Sequence, residues 1–397
     1  MKGDQMNEIK IGVVGLGHRA LGAWIPGMLS IPGFRITAVC DWIEPLQEKA
    51  LAIIPYRQDV KAFTRYEDLL AWDGIDAVGL CVRRLDQGAL AAQALEAGKH
   101  VHTEVPASHS IEDCWRIVLA TERTGKLYHL GEQVRYAGFV EAWKQLVASG
   151  RLGRIVYVEG QYIGYYGTYA FFQDYETGMQ YPIEELKDHP NAKPTVLHIM
   201  PPIHYLPHEL SPLLKVLDDR VVQVVGMGTE APSWNHPEIG QPDLQVALMK
   251  TEKGSIMRLA CGFTCPVPHG QHHWYHLHGT RGRVEMARSG DEKPKLWIAD
   301  EQMHEPAQID WRWQRTDASQ EALASGHLGT DYYAHVNFRD ALLHGKAPEL
   351  DVYRAMETAA PAILAADSID GGSIPLQIPD FRPNAQRPAG HVWSADL

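Results

Sequence analysis

The chain has no basic run, no long apolar stretch and no pattern of paired cysteines, and each absence argues against a class of function. Lys and Arg number 37 against 49 Asp and Glu, giving a formal net charge of −12. With no basic patch to neutralise phosphates, nucleic acid and anionic membrane surfaces are not expected partners. No segment approaches the roughly 18 consecutive apolar residues of a membrane span. Residues 1–8 lack the apolar core of a secretion signal, so a cytoplasmic protein is expected. The five cysteines, Cys40, Cys81, Cys114, Cys261 and Cys265, are odd in number and widely spread, unlike a disulfide framework. Cys261-x-x-x-Cys265 has no second pair to complete a zinc ribbon. What is present is 45% hydrophobic and 22% charged, a globular composition, in 397 residues, enough for two domains. Trp and Tyr cluster between 157 and 181 and between 274 and 313, where they can stack on sugar rings or line a subunit interface.

The organising stretch is Ile9-Lys-Ile-Gly-Val-Val-Gly-Leu-Gly-His-Arg-Ala-Leu-Gly22, a buried strand running into G-x-G-x-x-A. Gly15 permits the tight turn, Gly17 lets a pyrophosphate approach the backbone, and Ala20 is small enough for close helix–strand packing. The helix N-terminus offers free N–H groups to phosphate. A second strand, 34–40, ends at Asp41. An acid there holds both ribose hydroxyls of an adenosine and repels a 2′-phosphate, so the expected cofactor is NAD.

Helices at 45–54, 66–72, 87–97 and 111–124 alternate with strands at 62–63, 76–82, 100–104 and 127–130. This predicts a Rossmann-type, doubly wound parallel α/β sheet over residues 1–130. From 131 the rhythm changes. A helix at 139–149 precedes strands at 155–162, 221–227, 244–250, 255–261, 274–279 and 283–286. They predict a C-terminal α+β domain, 131–378, with an open, mainly antiparallel sheet, closed by helices within 331–366. An irregular insertion spans 164–202, a length more often functional than idle. Residues 379–397, with three prolines, read as an extended arm.

Several motifs then coincide: Gly15-x-Gly17-x-Arg19, Cys40-Asp41, Ala97-Gly-Lys-His-Val101, Glu104-x-Pro106 and Leu152-Gly153. Together they resemble the Gfo/Idh/MocA oxidoreductases, and the resemblance covers nearly the whole chain. It implies a Rossmann domain followed by an open-sheet domain that carries a sugar site and pairs face to face into dimers or tetramers. Glu132-Gln-Val-Arg-Tyr136, Tyr205-Leu-Pro-His-Glu-Leu-Ser-Pro212, His278-Gly-Thr-Arg-Gly282 and Gly326-His-x-Gly-Thr-Asp-Tyr332 look like the branch containing NAD-dependent glycosidases (glycoside hydrolase family 109-like). Those enzymes keep NAD bound, oxidise a sugar hydroxyl, eliminate the glycosidic group, add water and reduce the ketone again. Most family dehydrogenases read Glu-Lys-Pro where this chain has Glu104-Val105-Pro106, and the glycosidase branch also lacks that lysine. This chain departs from the branch at Gln133, where Asn is usual, and at Pro-His-Glu-Leu-Ser-Pro, where Thr-His-Gly-Leu-Gly-Pro is usual.

The expected catalytic set is His208, Tyr136 and Glu104. Leu210, Leu213, Leu214 and Leu217 have helical spacing, which puts His208 near a helix start. The dipole there disfavours a charged imidazolium and suits a neutral base. Glu104, at a strand end over the ligand crevice, is placed to bind a cofactor ribose or a sugar hydroxyl. Tyr136 is carried over from the resemblance as an acid or base on the sugar; a phenol needs a nearby cation to act as a base. The cofactor-binding set is Gly15, Gly17, His18, Arg19, Asp41, Trp42, Val82, Arg83, Gln87, Glu104, Val105 and Gln133. The substrate set is Tyr136, Tyr205, His208, His327 and Trp274. His272, His276 and His278 share one strand face with Trp274, but no carboxylate or cysteine spacing completes a metal site, so no metal is expected.

The expected function is NAD-dependent hydride transfer to or from a carbinol carbon of a sugar or sugar derivative. A redox-neutral glycosidase is one alternative, and a non-catalytic NAD-binding regulator is another.

Overall fold

The computed structural model describes residues 7–82, 85–165, 172–268 and 272–383. Arg83, residues 166–171 of the insertion, residues 269–271 of the histidine run and residues 384–397 lie outside the described residues.

Six parallel strands form the first sheet: β1 (Ile9–Val14), β2 (Phe34–Cys40), β3 (Lys61–Phe63), β4 (Ala77–Leu80), β5 (His100–Thr103) and β6 (Tyr128–Leu130). Their order is β3-β2-β1-β4-β5-β6, so the direction of winding reverses between β1 and β4. That reversal opens a crevice over the carboxyl ends of both strands. Helices cover both faces, which is why the strands are apolar on both sides. Helix Ile111–Thr124 shows the local logic. The Ser110 side chain accepts from the Asp113 N–H at its start, and Gly125, at φ +65°, ends it.

The second sheet is built from β7 (Ile155–Ile163) and strands after the insertion. The insertion carries its own small sheet of β8 (Phe172–Asp174), β9 (Gln180–Tyr181) and β10 (Ala192–Pro194). The main strands are β11 (Val221–Gly228), β12 (Gln245–Thr251), β13 (Ile256–Gly262), β14 (His273–Gly279), β15 (Gly282–Glu285), β16 (Lys295–Ile298), β17 (Ala307–Gln308) and β18 (Leu376–Gln377). They run β17-β16-β15-β14-β7-β13-β12-β11-β18. Pairing is antiparallel except for β7 with β13. Helix Pro207–Leu217 lies on the inner face of this sheet. Gly160 in β7 permits the close approach, since a Cβ there would meet Glu209 Oε2 at 3.1 Å and a Leu213 methyl at 3.2 Å.

The two closing helices divide between the sheets. Thr330–His344 packs back on the Rossmann sheet, with Phe338 wholly buried beside Ile9, Trp24 and Met28 and its ring stacked on Phe34 at 6.4 Å. Val352–Asp370 covers the second sheet and reaches helix Ile111–Thr124. The chain beyond 378 does not leave at once as an arm. Phe381 is 1% exposed and its ring lies 4.6 Å from that of Trp115. Burying such a side chain stabilises the docking by about 2 kcal/mol.

Under helix Thr330–His344 three wholly buried histidines form a chain. His335 Nδ1 is 3.0 Å from His102 Nε2, His102 Nδ1 is 3.0 Å from His129 Nδ1, and His129 Nε2 is 3.0 Å from Asn337 Oδ1. Burial pushes His129 down to about 3 and His335 down to about 4, and holds His102 well below the usual imidazole range. Among the described residues no helix is long and apolar enough to cross a membrane.

Candidate active site

The glycine loop forms as the sequence predicts. Gly15 has φ +80°, and a Cβ there would stand 2.7 Å from Val82 and 3.1 Å from the Cys81 carbonyl. A Cβ on Gly17 would meet nothing within 4 Å, so the backbone faces open space where a pyrophosphate fits. Asp41 braces the loop: its Oδ2 accepts from the Leu16 N–H at 2.7 Å and its Oδ1 from the Ile43 N–H at 2.9 Å. A carboxylate offers about four lone-pair sites, enough both to brace the loop and to meet ribose hydroxyls.

The cleft above has a volume of about 810 Å³. Gly15, Gly17, His18, Arg19, Asp41, Trp42 and Val82 line one side; Gln173, Tyr175, Gln180, Thr195 and Ile199, from the insertion, line the other. The insertion is therefore a wall of the cofactor cleft, moored where Lys49 Nζ donates to the Thr177 carbonyl at 3.2 Å. The open cradle over Gly17 and the acid at Asp41 fit a dinucleotide with an unphosphorylated ribose.

Glu104 needs correction. It is 5% exposed, and its Oε2 accepts from Arg19 Nη2 at 2.8 Å, Arg19 Nε at 3.0 Å and Trp24 Nε1 at 2.5 Å. Arg19 also reaches Asp331, whose oxygens accept at 3.0 and 3.1 Å. Burial alone would raise the Glu104 carboxyl, but Arg19, Trp24 and His327 together outweigh it and hold the group below its usual range; Arg19 and His327 lower Asp331 in the same way. Glu104 is thus a buried anchor between β5 and the glycine-loop helix rather than a free catalytic acid. The turn that brings Arg19 and Trp24 to it is π-helical, Ala20–Trp24, a wider winding often found at functional sites. Gln87 is corrected too: its Nε2 donates to the Glu104 and Pro106 carbonyls at 2.7 and 2.6 Å, so it pins the turn around the buried Val105.

Across the domain junction, His208 sits in the first turn of helix Pro207–Leu217, as its spacing predicts. Its Nδ1 is 3.1 Å from Glu132 Oε1. Glu132 is fully buried and also accepts from the N–H groups of Val134 and Arg135. A carboxylate on Nδ1 fixes that nitrogen as a donor and leaves Nε2 as the acid–base atom. Tyr205 lies parallel to the His208 ring at 6.3 Å and Tyr162 meets it edge-on at 5.4 Å. His327 accompanies the Arg19 network, with Nδ1 3.1 Å from both Asp331 oxygens. It lies within electrostatic reach of Glu104 and of His273, linking the cofactor loop to the substrate side.

One expected substrate residue, Trp274, is not brought there, whereas Tyr136 lies against the His208 helix within electrostatic reach of Glu132. Trp274 points to the opposite face of the second sheet, where the Arg288 guanidinium covers its ring at 3.4 Å and its Nε1 donates to the Met286 carbonyl. Alternation along β14 therefore turns His273 and Tyr275 inward instead. Tyr136 is 4% exposed, with Lys215 Nζ 5.6 Å from its ring centre and no hydrogen bond or ring contact to His208. Burial pushes its phenol well above the usual range, with Glu349 adding to the shift. Its hydroxyl and Gln133 Oε1 are buried without a partner among the described residues.

Three site residues escaped the sequence: Glu132, Glu209 and His273. His273 Nδ1 is 2.6 Å from Glu209 Oε1, and its ring stacks on Tyr162 at 4.1 Å. The signals were Glu132 opening the Glu132-Gln-Val-Arg-Tyr136 motif and Glu209 standing where a glycine is usual.

Residues 9–132 match the family described as an oxidoreductase family with an NAD-binding Rossmann fold. Residues 216–386 match the C-terminal domain of glycosyl hydrolase 109. A glycosyl hydrolase family 109 protein of Saccharopolyspora erythraea is 25% identical, over 94% of this chain and 83% of that one. Glycosyl hydrolase family 109 protein 2 of Phocaeicola vulgatus is 27% identical, over 94% of each. Among solved structures, scyllo-inositol dehydrogenase of Lactobacillus casei with bound NAD(H) and scyllo-inositol superposes with a TM-score of 0.67 at 18% identity, covering 93% of this chain and 99% of that one.

Proposed function

We propose that this chain, which belongs to the Gfo/Idh/MocA oxidoreductase family, exchanges a hydride between NAD and a carbinol carbon of a carbohydrate, with His208 as the base. The observation that carries this reading is the Glu132–His208 pair at 3.1 Å, beside aromatic rings suited to a sugar face. Bound nicotinamide supplies the hydride acceptor and donor. His208 Nε2 takes the hydroxyl proton, Glu132 fixes the ring and steadies the charge it gains, and Tyr205 and Tyr162 restrict the approach of water. Asp41 selects the unphosphorylated ribose, and the Arg19–Glu104–Asp331 network holds the glycine loop against β5.

A second reading, redox-neutral glycoside cleavage, is favoured by the match of residues 216–386 to a glycosyl hydrolase 109 domain. There the transient ketone acidifies the neighbouring C–H, so that the glycosidic group can be eliminated and replaced by water. One assay separates the two: with NAD and a panel of sugars and aryl glycosides, net oxidation accumulates reduced nicotinamide, whereas cleavage releases aglycone without it.

A cytoplasmic setting and assembly into a dimer or tetramer belong to the same proposal. Met227, Leu248 and Ile256, exposed on the outer face of the second sheet, support an interface between copies there.

A further inference from the structure

Hydride exchange with a carbinol uses one acid–base group, and this site holds two histidine–carboxylate pairs. His208 carries Glu132 on its Nδ1; His273 carries Glu209 on its Nδ1 at 2.6 Å. The two imidazole centres are 6.3 Å apart, and Tyr162 touches both rings. Glu209 is 0% exposed. Burying a carboxyl is costly, and an apolar side chain would fill a core position at least as well. Yet the acid lies beside His208 on the same helix, with Gly160 leaving room for it. The His273 side chain keeps 18% exposure, and with Nδ1 held by Glu209 its free atom is Nε2.

We propose that His273, held by Glu209 as its positioning residue, is a second catalytic acid–base group that protonates the departing glycosidic oxygen opposite His208. The proposal rests on the cleavage reading above. In that step the sugar is already oxidised, its hydride on the nicotinamide, and the hydroxyl proton has passed through His208 to water. His208 takes the C–H proton beside the ketone. The C–H pair becomes the C=C bond, and the glycosidic C–O bond breaks with its pair on oxygen. That oxygen takes the Nε2 proton of His273 while the Glu209 proton moves to Nδ1. Water then adds in reverse: its oxygen bonds to the same carbon, its proton restores the His273–Glu209 pair, and His208 returns the proton to carbon.

The electrostatics suit a donor. Burial raises the Glu209 carboxyl and lowers the His273 imidazole, and His208, His272 and His327 lower the latter further. Both shifts favour the uncharged pair, with a proton on Glu209 and another on Nε2. Glu132 and Tyr275 face the same carboxyl; Glu132 raises it further and the Tyr275 hydroxyl lowers it, by less than burial raises it.

The test compares phenyl glycosides, whose leaving oxygen needs a proton, with p-nitrophenyl glycosides, whose leaving oxygen does not, across a panel of pyranoses with NAD present. His273→Gln is expected to slow phenol release by about 100-fold or more and p-nitrophenol release by less than about tenfold, the range of a lost general acid. Glu209→Gln should show the same selectivity more weakly, and decides the matter if His273→Gln fails to fold. Equal losses on both leaving groups, or none, would overturn the proposal. If the unaltered protein releases neither aglycone from any glycoside, the cleavage reading itself fails and takes the proposal with it.

Discussion

Arg19 and Glu104 form a buried ion pair, 2.8 Å between Nη2 and Oε2, that ties the glycine-loop helix to the end of β5. Their side chains are 14% and 7% exposed, and removing one partner strands the other charge. Glu104→Gln should therefore lower stability by roughly 3 kcal/mol, read from denaturant unfolding. An anchor and a catalytic acid differ in a second readout. The folded fraction of the variant should keep its turnover rate within about tenfold, because general catalysis by a lost acid would cost about 100-fold or more.

The buried histidine chain predicts a pH dependence with a definite sign. His129 at about 3 and His335 at about 4 lie below the unfolded value near 6.5. Between those limits the unfolded chain binds protons that the native protein does not, so stability falls as pH drops from about 6.5 towards 4, by roughly 1.4 kcal/mol per pH unit for each such histidine. The lowered carboxylates Glu104 and Asp331 act in a different window: their contribution persists above about pH 4 and is lost only in stronger acid. Melting temperatures between pH 7 and pH 4.5 check this. His129→Gln should flatten the slope, and an unchanged slope would contradict the assignment.

Trp274 lies under Arg288 on the outer sheet face. Trp274→Phe should leave KM for the sugar within about twofold, since the ring, buried beneath Arg288, faces away from His208 and sites that share no partners act independently. Tyr162→Ala, which removes the ring shared by His208 and His273, should raise KM or lower kcat by at least about tenfold, as expected where a 1 Å misplacement matters. Parallel kinetics on the two variants distinguish the faces.

Asp41 sets cofactor choice. NAD should bind at least about 100-fold more tightly than NADP, because a carboxylate beside a 2′-phosphate costs several kcal/mol. Asp41→Ser should narrow that gap, and calorimetric titration of both cofactors measures it. The same variant loses the brace on the Leu16 N–H, so its NAD affinity should also fall.

What was legible in the sequence was what periodicity and local chemistry encode. The helix pattern over 111–124 matches the observed Ile111–Thr124, and Gly15, Gly17 and Asp41 mark a loop whose geometry any bound dinucleotide requires. Pairings across the fold were not legible. Glu132 meets His208 76 positions away, and Glu209 meets His273 64 positions away, contacts made only when a helix is laid on a sheet. The face of β14 turned on a single residue of phase, which puts Trp274 outside and His273 inside. Glu104 was correctly placed at a strand end, but Asp331, which shares its partner Arg19, comes from a helix 227 residues later that packs back on the first sheet. The insertion showed only its length. Its strands are two or three residues long, too short for any pattern.

The most direct test of the account is a single-turnover measurement on protein mixed with stoichiometric NAD and a panel of sugars and glycosides, following the absorbance of reduced nicotinamide. At least one sugar should give a rise, lasting for net oxidation and transient for cleavage. His208→Gln should slow that rise by about 100-fold or more while calorimetry shows NAD affinity unchanged. Bound NAD with no hydride exchange from any sugar, or an unchanged rate in His208→Gln, would contradict the account.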